Sequence, residues 1–162
     1  MGNTMAARDW TPQVGARSFV AELGEDLAIT CLTRLLVGEV RPSELTSEPW
    51  PYVLVSIGDG HAARLDTADP SQAYWQRCWA ARALAYEGDA GVAPWLVRAL
   101  ADDHWRVRMT AVQTIGRLGI GGLEPEVAPL LDDPHARVRD AAALALGRLT
   151  RAALPGRERP GP

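Results

Sequence analysis

The chain contains no lysine: its 17 basic residues are all arginine, set against 20 Asp and Glu for a formal net charge of -3. An arginine-only basic set is read as the mark of a GC-rich coding genome, of actinobacterial type, and not as a functional signal. The slightly acidic balance gives no global attraction to phosphate backbones or anionic membranes, so nucleic acid is disfavoured as a partner and only a local basic stripe is left open. Cysteine is nearly absent. Cys31 and Cys78 form no C-x-x-C and are too few for a disulfide framework, which points to a reducing cytoplasm. Long apolar runs are missing too. The longest, Leu27 to Val40, is broken by Arg34 and falls short of the roughly 18 residues that a membrane span requires. Met1 to Arg17 lacks the apolar stretch of a signal peptide, so the protein is expected to stay inside the cell. The patterns G-x-S-x-G and H-E-x-x-H do not occur, and the phosphate-binding G-x-x-x-x-G-K-[ST] is impossible without lysine. No catalytic residue, metal or cofactor is therefore assigned, and the expectation is a protein that is not an enzyme.

What the chain does have is an internal repeat. Its 162 residues, 47% of them apolar, suit a single domain with a modest core. Shifting the sequence by 31 residues aligns Arg77, Arg108 and Arg139, then Ala80, Ala111 and Ala142, then Leu84, Ile115 and Leu146, then Ala85, Gly116 and Gly147, all without a gap. The preceding segments follow suit: Val92 with Leu123, Pro94 with Pro125, Leu96 with Val127, Leu100 with Leu131 and Asp102 with Asp133. Within a unit, Val107, Ala111, Ile115 and Leu118 form an apolar stripe of helical period, repeated by Val138, Ala142, Leu146 and Leu149. Glycines at 88, 91, 119, 121 and 122 supply turns between units, and Asp102 and Asp133 are expected to be N-caps of the second helices. Each unit thus reads as a helical hairpin. The small-residue column at Ala80, Ala111 and Ala142 lets neighbouring helices approach, so the hairpins are expected to stack into an all-α solenoid with a continuous core.

The strings Asp102-Asp103-His104-Trp105-Arg106-Val107-Arg108 and Asp133-Pro134-His135-Ala136-Arg137-Val138-Arg139-Asp140 closely resemble HEAT repeats, particularly the short bacterial type found also in phycobilin lyase-like proteins. That resemblance implies an α-solenoid in which an Asp of the intra-repeat turn and an Arg six positions later join adjacent repeats as a ladder. Asp102 with Arg108 and Asp133 with Arg139 fit the spacing, whereas the first repeat has Ser71 where the Asp stands in the others. Repeats are expected at about 67–88, 89–119 and 120–151. Upstream, Trp50 to Asp66 reads as a degenerate repeat with its first helix at His61 to Asp66, and Pro42 to Pro51 as a loop. Phe19, Leu23, Leu27, Cys31 and Leu35, spaced by four, predict one long helix from about Arg17 to Gly38 that caps the stack, so that residues 16–66 form a helical cap with the degenerate repeat. Residues 1–15 and 154–162 are expected to be flexible ends.

Several constellations invite chemistry and are better explained by the repeat. His104 and His135 share a register, but packed helices lie roughly 8 to 10 Å apart while zinc needs nitrogens at about 2.0 to 2.1 Å, so both are read as solvated residues at helix starts. The pairs Asp102-Asp103 and Asp132-Asp133 are read as caps and ladder partners rather than acid/base groups. Cys78 has no His at helical spacing and is read as a bystander thiol. Arg77, Arg108 and Arg139 resemble a phosphate stripe but belong to the repeat's own Asp/Arg pairing.

Left over is an aromatic and arginine excess: Tyr74, Trp75, Trp79, Arg82, Tyr86, Trp105, Arg106 and Met109. Trp, Tyr and Arg dominate binding hot spots. Trp79, Arg82 and Tyr86, spaced by three and four, share a face offset from the Ala80 and Leu84 stripe, so they are expected in an exposed groove. The expectation is a scaffold or adaptor that holds a partner helix or peptide on the inner face of the solenoid. HEAT-like repeats also build bilin lyases and alkylpurine DNA glycosylases, which leaves a small-molecule or DNA ligand as the alternative.

Overall fold

The computed structural model describes residues 11–41, 43–45, 47, 49–58 and 69–153. The expected flexible ends at 1–10 and 154–162, and the expected helix at His61 to Asp66, lie outside them. The chain folds as an all-α stack: α1 (Pro12–Leu23), α2 (Glu25–Leu36), α3 (Trp50–Ile57), α4 (Ala73–Glu87), α5 (Ala93–Ala99), α6 (Trp105–Leu118), α7 (Glu124–Val127) and α8 (Ala136–Ala153). The second helices of the repeats, α4, α6 and α8, pack side by side; α5 packs on α6 and α7 on α8. Ala80, Ala111 and Ala142 are all fully buried, as the small-residue column requires. α6 and α8 approach closely at Gly116, where an added Cβ would lie 3.0 Å from both Cα and Cβ of Ala145.

The first helices are shorter than amphipathic periodicity suggests. Pro94 and Pro125 sit in the opening turns of α5 and α7, where a missing N–H costs nothing. Pro129 then stands inside the continuing segment, which runs on as a 3-10 helix over Ala128–Asp132. Proline removes an intrahelical bond and disfavours α geometry in the residue before it, so α7 ends after one turn.

The cap differs from a single long helix. Thr11 opens α1, its hydroxyl accepting the Val14 N–H at 3.2 Å, and Gly24 ends it at φ +81° while also opening α2. A residue at that φ cannot continue an α-helix. The break takes Leu27 out of the four-residue series and leaves it 47% exposed, while Phe19, Cys31 and Leu35 are buried. α1 begins at Pro12, so residues 12–15 are helical, and Trp50, expected at the end of a loop, starts α3. α1, α2 and α3 all pack on α4, and α2 reaches α5 as well. Arg98 of α5 is tied to Glu39 beyond α2 at 2.8 Å. The buried side chains form one core from Ala16 to Leu149. Among the described residues no helix is long and apolar enough to cross a membrane.

Candidate functional site

The N-terminal edge of the second helices is a closed polar and aromatic seam. Arg77 of α4 reaches the turn before α6, its Nη2 donating to Asp102 Oδ1 at 3.0 Å with Nε 2.7 Å from Oδ2. One repeat on, Arg108 grips Asp133 in the same way, Nε to Oδ2 at 2.7 Å and Nη2 to Oδ1 at 2.9 Å. Each arginine therefore pairs with the carboxylate 25 residues ahead, in the next repeat. The Asp six residues behind receives it only through a backbone carbonyl, Arg108 Nη1 donating to Asp102 O and Arg139 Nη1 to Asp133 O, both at 2.8 Å. Hydrogen bonding to Arg108 holds the Asp133 carboxyl below its ordinary range.

Asp102 and Asp133 are not themselves the helix N-caps. Each accepts the N–H of the histidine two residues on, His104 or His135, at 2.8 Å. The histidines do the capping: Nδ1 of His104 accepts the Arg106 N–H, and Nδ1 of His135 that of Arg137, both at 3.3 Å. Asp69 plays the turn role in the first repeat, accepting the Ser71 N–H at 2.9 Å, so a two-residue shift had hidden the equivalent of Asp102 behind Ser71.

The histidines are also stacked, contrary to a solvated reading. Tyr74 lies on His104 with centroids 3.6 Å apart and planes 7° from parallel, and Trp105 lies on His135 at 3.7 Å and 6°. The two imidazoles stack on different rings, His104 on Tyr74 and His135 on Trp105. Among the described residues no group of His, Cys, Asp or Glu is arranged to hold a metal. Burial and the neighbouring Arg106 lower the His104 pKa, which keeps Nδ1 free to accept. Tyr74 and Trp105 are thus periodic features, each stacking on the histidine of the following repeat. The repeat of α8 carries Ala136 at that position. The signal was present in the sequence as two aligned columns, Tyr74/Trp105 and His104/His135, offset by one residue.

The face of the second helices turned away from α5 and α7 is different. Three columns at the 31-residue period cover it: Trp75, Arg106 and Arg137; Arg82, Gln113 and Leu144; Tyr86, Arg117 and Arg148, while in the column Trp79, Thr110 and Ala141 the first and last are buried. Between them lies an open cleft of about 350 Å³, floored by Ala85, Gly116, Ala141 and Ala145 and rimmed by Arg82, Tyr86, Arg117, Leu144 and Arg148. Leu144 is 65% exposed and Trp75 37%. Arg117 stands 4.3 Å over the Tyr86 ring while its Nε donates to the Ala85 carbonyl at 2.9 Å. Arg106 lies 4.4 Å over Trp105 and within 6 Å of Tyr74 and Trp75.

Of the eight residues expected in a groove, Trp75, Arg82, Tyr86 and Arg106 line this inner face. Arg82 also donates to the Ile57 carbonyl at 3.1 Å. Trp79 is a correction: it is only 5% exposed and belongs to the core. The apolar residues of α4 are spread all round the helix, and such a helix is buried on several sides; α1, α2, α3 and α6 surround it. Met109, Trp105 and Tyr74 are half-buried against the core, the last two within the seam. Gln113, Arg117, Arg137, Leu144 and Arg148 were missed, though extending the Trp75, Arg82 and Tyr86 columns by 31 residues finds them. Burial pushes the Cys78 thiol up to about 11 and raises that of Cys31, so neither is a ready nucleophile.

The family model for HEAT repeats matches residues 62–147, which is more than half of the chain. No curated protein sequence matches it.

Proposed function

Because the chain belongs to the HEAT repeat family, whose members commonly serve as protein-interaction scaffolds, we propose that it is a non-catalytic adaptor holding a partner helix or peptide on the inner face of α4, α6 and α8. The observation that carries this reading is the face itself, left open among the described residues. It joins exposed Trp75 and Leu144 with half-buried Tyr86 and a row of arginines over a floor of small residues. Aromatic and arginine anchors around a desolvated centre are the usual makings of a binding hot spot. An α-helix is about 10–12 Å across with its side chains, and three second helices packed roughly 8–10 Å apart offer a trough that accommodates one. The buried free thiols Cys31 and Cys78 are in keeping with work in the cytoplasm.

The test is a native pull-down with mass spectrometry, repeated with Leu144→Arg and Trp75→Ala. The expected outcome is a stoichiometric partner protein that both substitutions release while the melting temperature stays put. Release by neither would sink the assignment to this face. The cleft, at about 350 Å³, lies at the small end of ligand-site volumes. The intact mass of the purified protein checks for a small-molecule ligand in the same preparation.

A further inference from the structure

The charge of this molecule is divided by layer. The three second helices carry Arg77, Arg82, Arg106, Arg108, Arg117, Arg137, Arg139, Arg148 and Arg151 against two carboxylates, Glu87 and Asp140. The chain as a whole is at -3, so the remaining elements are strongly acidic. Arg77 and Arg108 are neutralised within the seam. On the inner face, no ion pair among the described residues engages Arg106, Arg117, Arg137 or Arg148; the carboxylates of the described ion pairs belong to the seam, the cap, and the far end of α4. Folding has collected positive charge here that no described carboxylate neutralises.

We infer that the partner segment is acidic and amphipathic, a helix lying across α4, α6 and α8 with carboxylates along both flanks and an aliphatic stripe over Leu144. This rests on the reading of the inner face as a partner-binding groove. The geometry supplies the flanks. Arg106 and Arg137 form one arginine row, Arg117 and Arg148 another, and eleven residues of helix at about 1.5 Å each set the rows about 16 Å apart. One helix of about 10–12 Å fits between them. Three of these arginines already stand over aromatic rings, Arg117 over Tyr86 and both Arg106 and Arg137 over Trp105. Arg117 uses only Nε internally, which leaves the terminal nitrogens for the fork that matches a carboxylate. Guanidinium groups ordered before binding lose less freedom on binding. Nucleic acid is the weaker fit: exposed Leu144 lies between the rows, and the net charge of -3 opposes a polyanion.

The full-length protein is panned against a random peptide library displayed on phage, and recovered peptides are synthesised and titrated by fluorescence anisotropy. The proposal expects an excess of Asp and Glu flanking an aliphatic stripe, with affinity falling as salt rises. It also expects affinity to fall about tenfold or more in the Arg117→Glu, Arg148→Glu double variant, with the circular dichroism spectrum still that of the folded helical protein and the same loss of affinity in Arg148→Glu alone, whose side chain makes no described ion pair. Peptides without acidic excess that Leu144→Arg still displaces would overturn the charge inference and leave the groove standing. Binding indifferent to every inner-face substitution overturns both. A short DNA duplex that displaces the peptides and binds more tightly than any of them overturns the acidic-peptide inference in favour of nucleic acid.

Discussion

Arg108 and Arg117 lie on one helix and meet different surroundings. Arg108, at the seam, is 16% exposed and spends its guanidinium on the Asp133 carboxylate and on the carbonyls of Asp102 and Asp103. Arg117, on the inner face, is exposed and rests on Tyr86 with no carboxylate partner among the described residues. The same contrast divides the aromatics: Trp105 is stacked between repeats, whereas Trp75 stands open beside Arg106. Residue type alone therefore says little about role in a repeat protein. A side chain directed at the next repeat is consumed by stacking, and one directed away from the first helices is left for something else.

The sharpest way to break this comparison is at the two tryptophans of α4. Trp79→Ala is expected to cost about 3–5 kcal/mol by opening a core cavity, a drop of roughly 10 °C in melting temperature for a domain of this size. Trp75→Ala is expected to leave the melt nearly unchanged, and equal effects would erase the distinction between core and face. Next comes the ladder. Arg108→Ala is expected to cost about 3 kcal/mol, because it strands the buried Asp133, whereas Arg139→Ala removes bonds only to its own turn and costs far less. Calorimetry on the pair isolates the contact between repeats; equal losses would show that Arg108 works through its own turn alone.

A smaller effect is expected from pH. The folded pKa of His104 is lowered, so over the interval below the ordinary value of about 6.5 the unfolded chain binds more protons than the folded one. Its contribution is complete above that value and is lost as pH falls through the folded pKa. Urea unfolding at decreasing pH is expected to show the loss, and His104→Asn, which keeps a cap acceptor that does not titrate, is expected to flatten it. The Asp133 contribution has the same sign at lower pH, being lost only as the carboxyl protonates below its ordinary range. The smallest expected effect on stability is that of Arg148→Ala, within about 0.5 kcal/mol of the parent. Loss of partner binding in that folded variant is the result that sharpens the comparison most.

Much of this was legible in the sequence. The 31-residue period, the Ala80, Ala111 and Ala142 column and the Asp/Arg pairs follow from periodicity and from the family resemblance. That the ladder joins adjacent repeats followed too, but its direction did not, because the six-residue spacing of Asp102 and Arg108 does not say whether each arginine reaches forward or back, and Arg108 extends toward Asp133 in the next turn. Trp79 was misplaced because an isolated α4 offers no means of counting the helices that surround it. The single capping helix failed at Gly24, where four-residue spacing continued across a residue whose backbone turns away.

Sequence by itself determined that the chain forms stacked helical hairpins, since a 3.6-residue period and recurring turn residues act within one segment and need no neighbour. It also determined the segregation of arginine onto the second helices. Tertiary structure alone decided which arginines are spent: contacts 25 and 30 residues apart exist only once the repeats are stacked, and that stacking closes one edge of the second helices while leaving the inner face open.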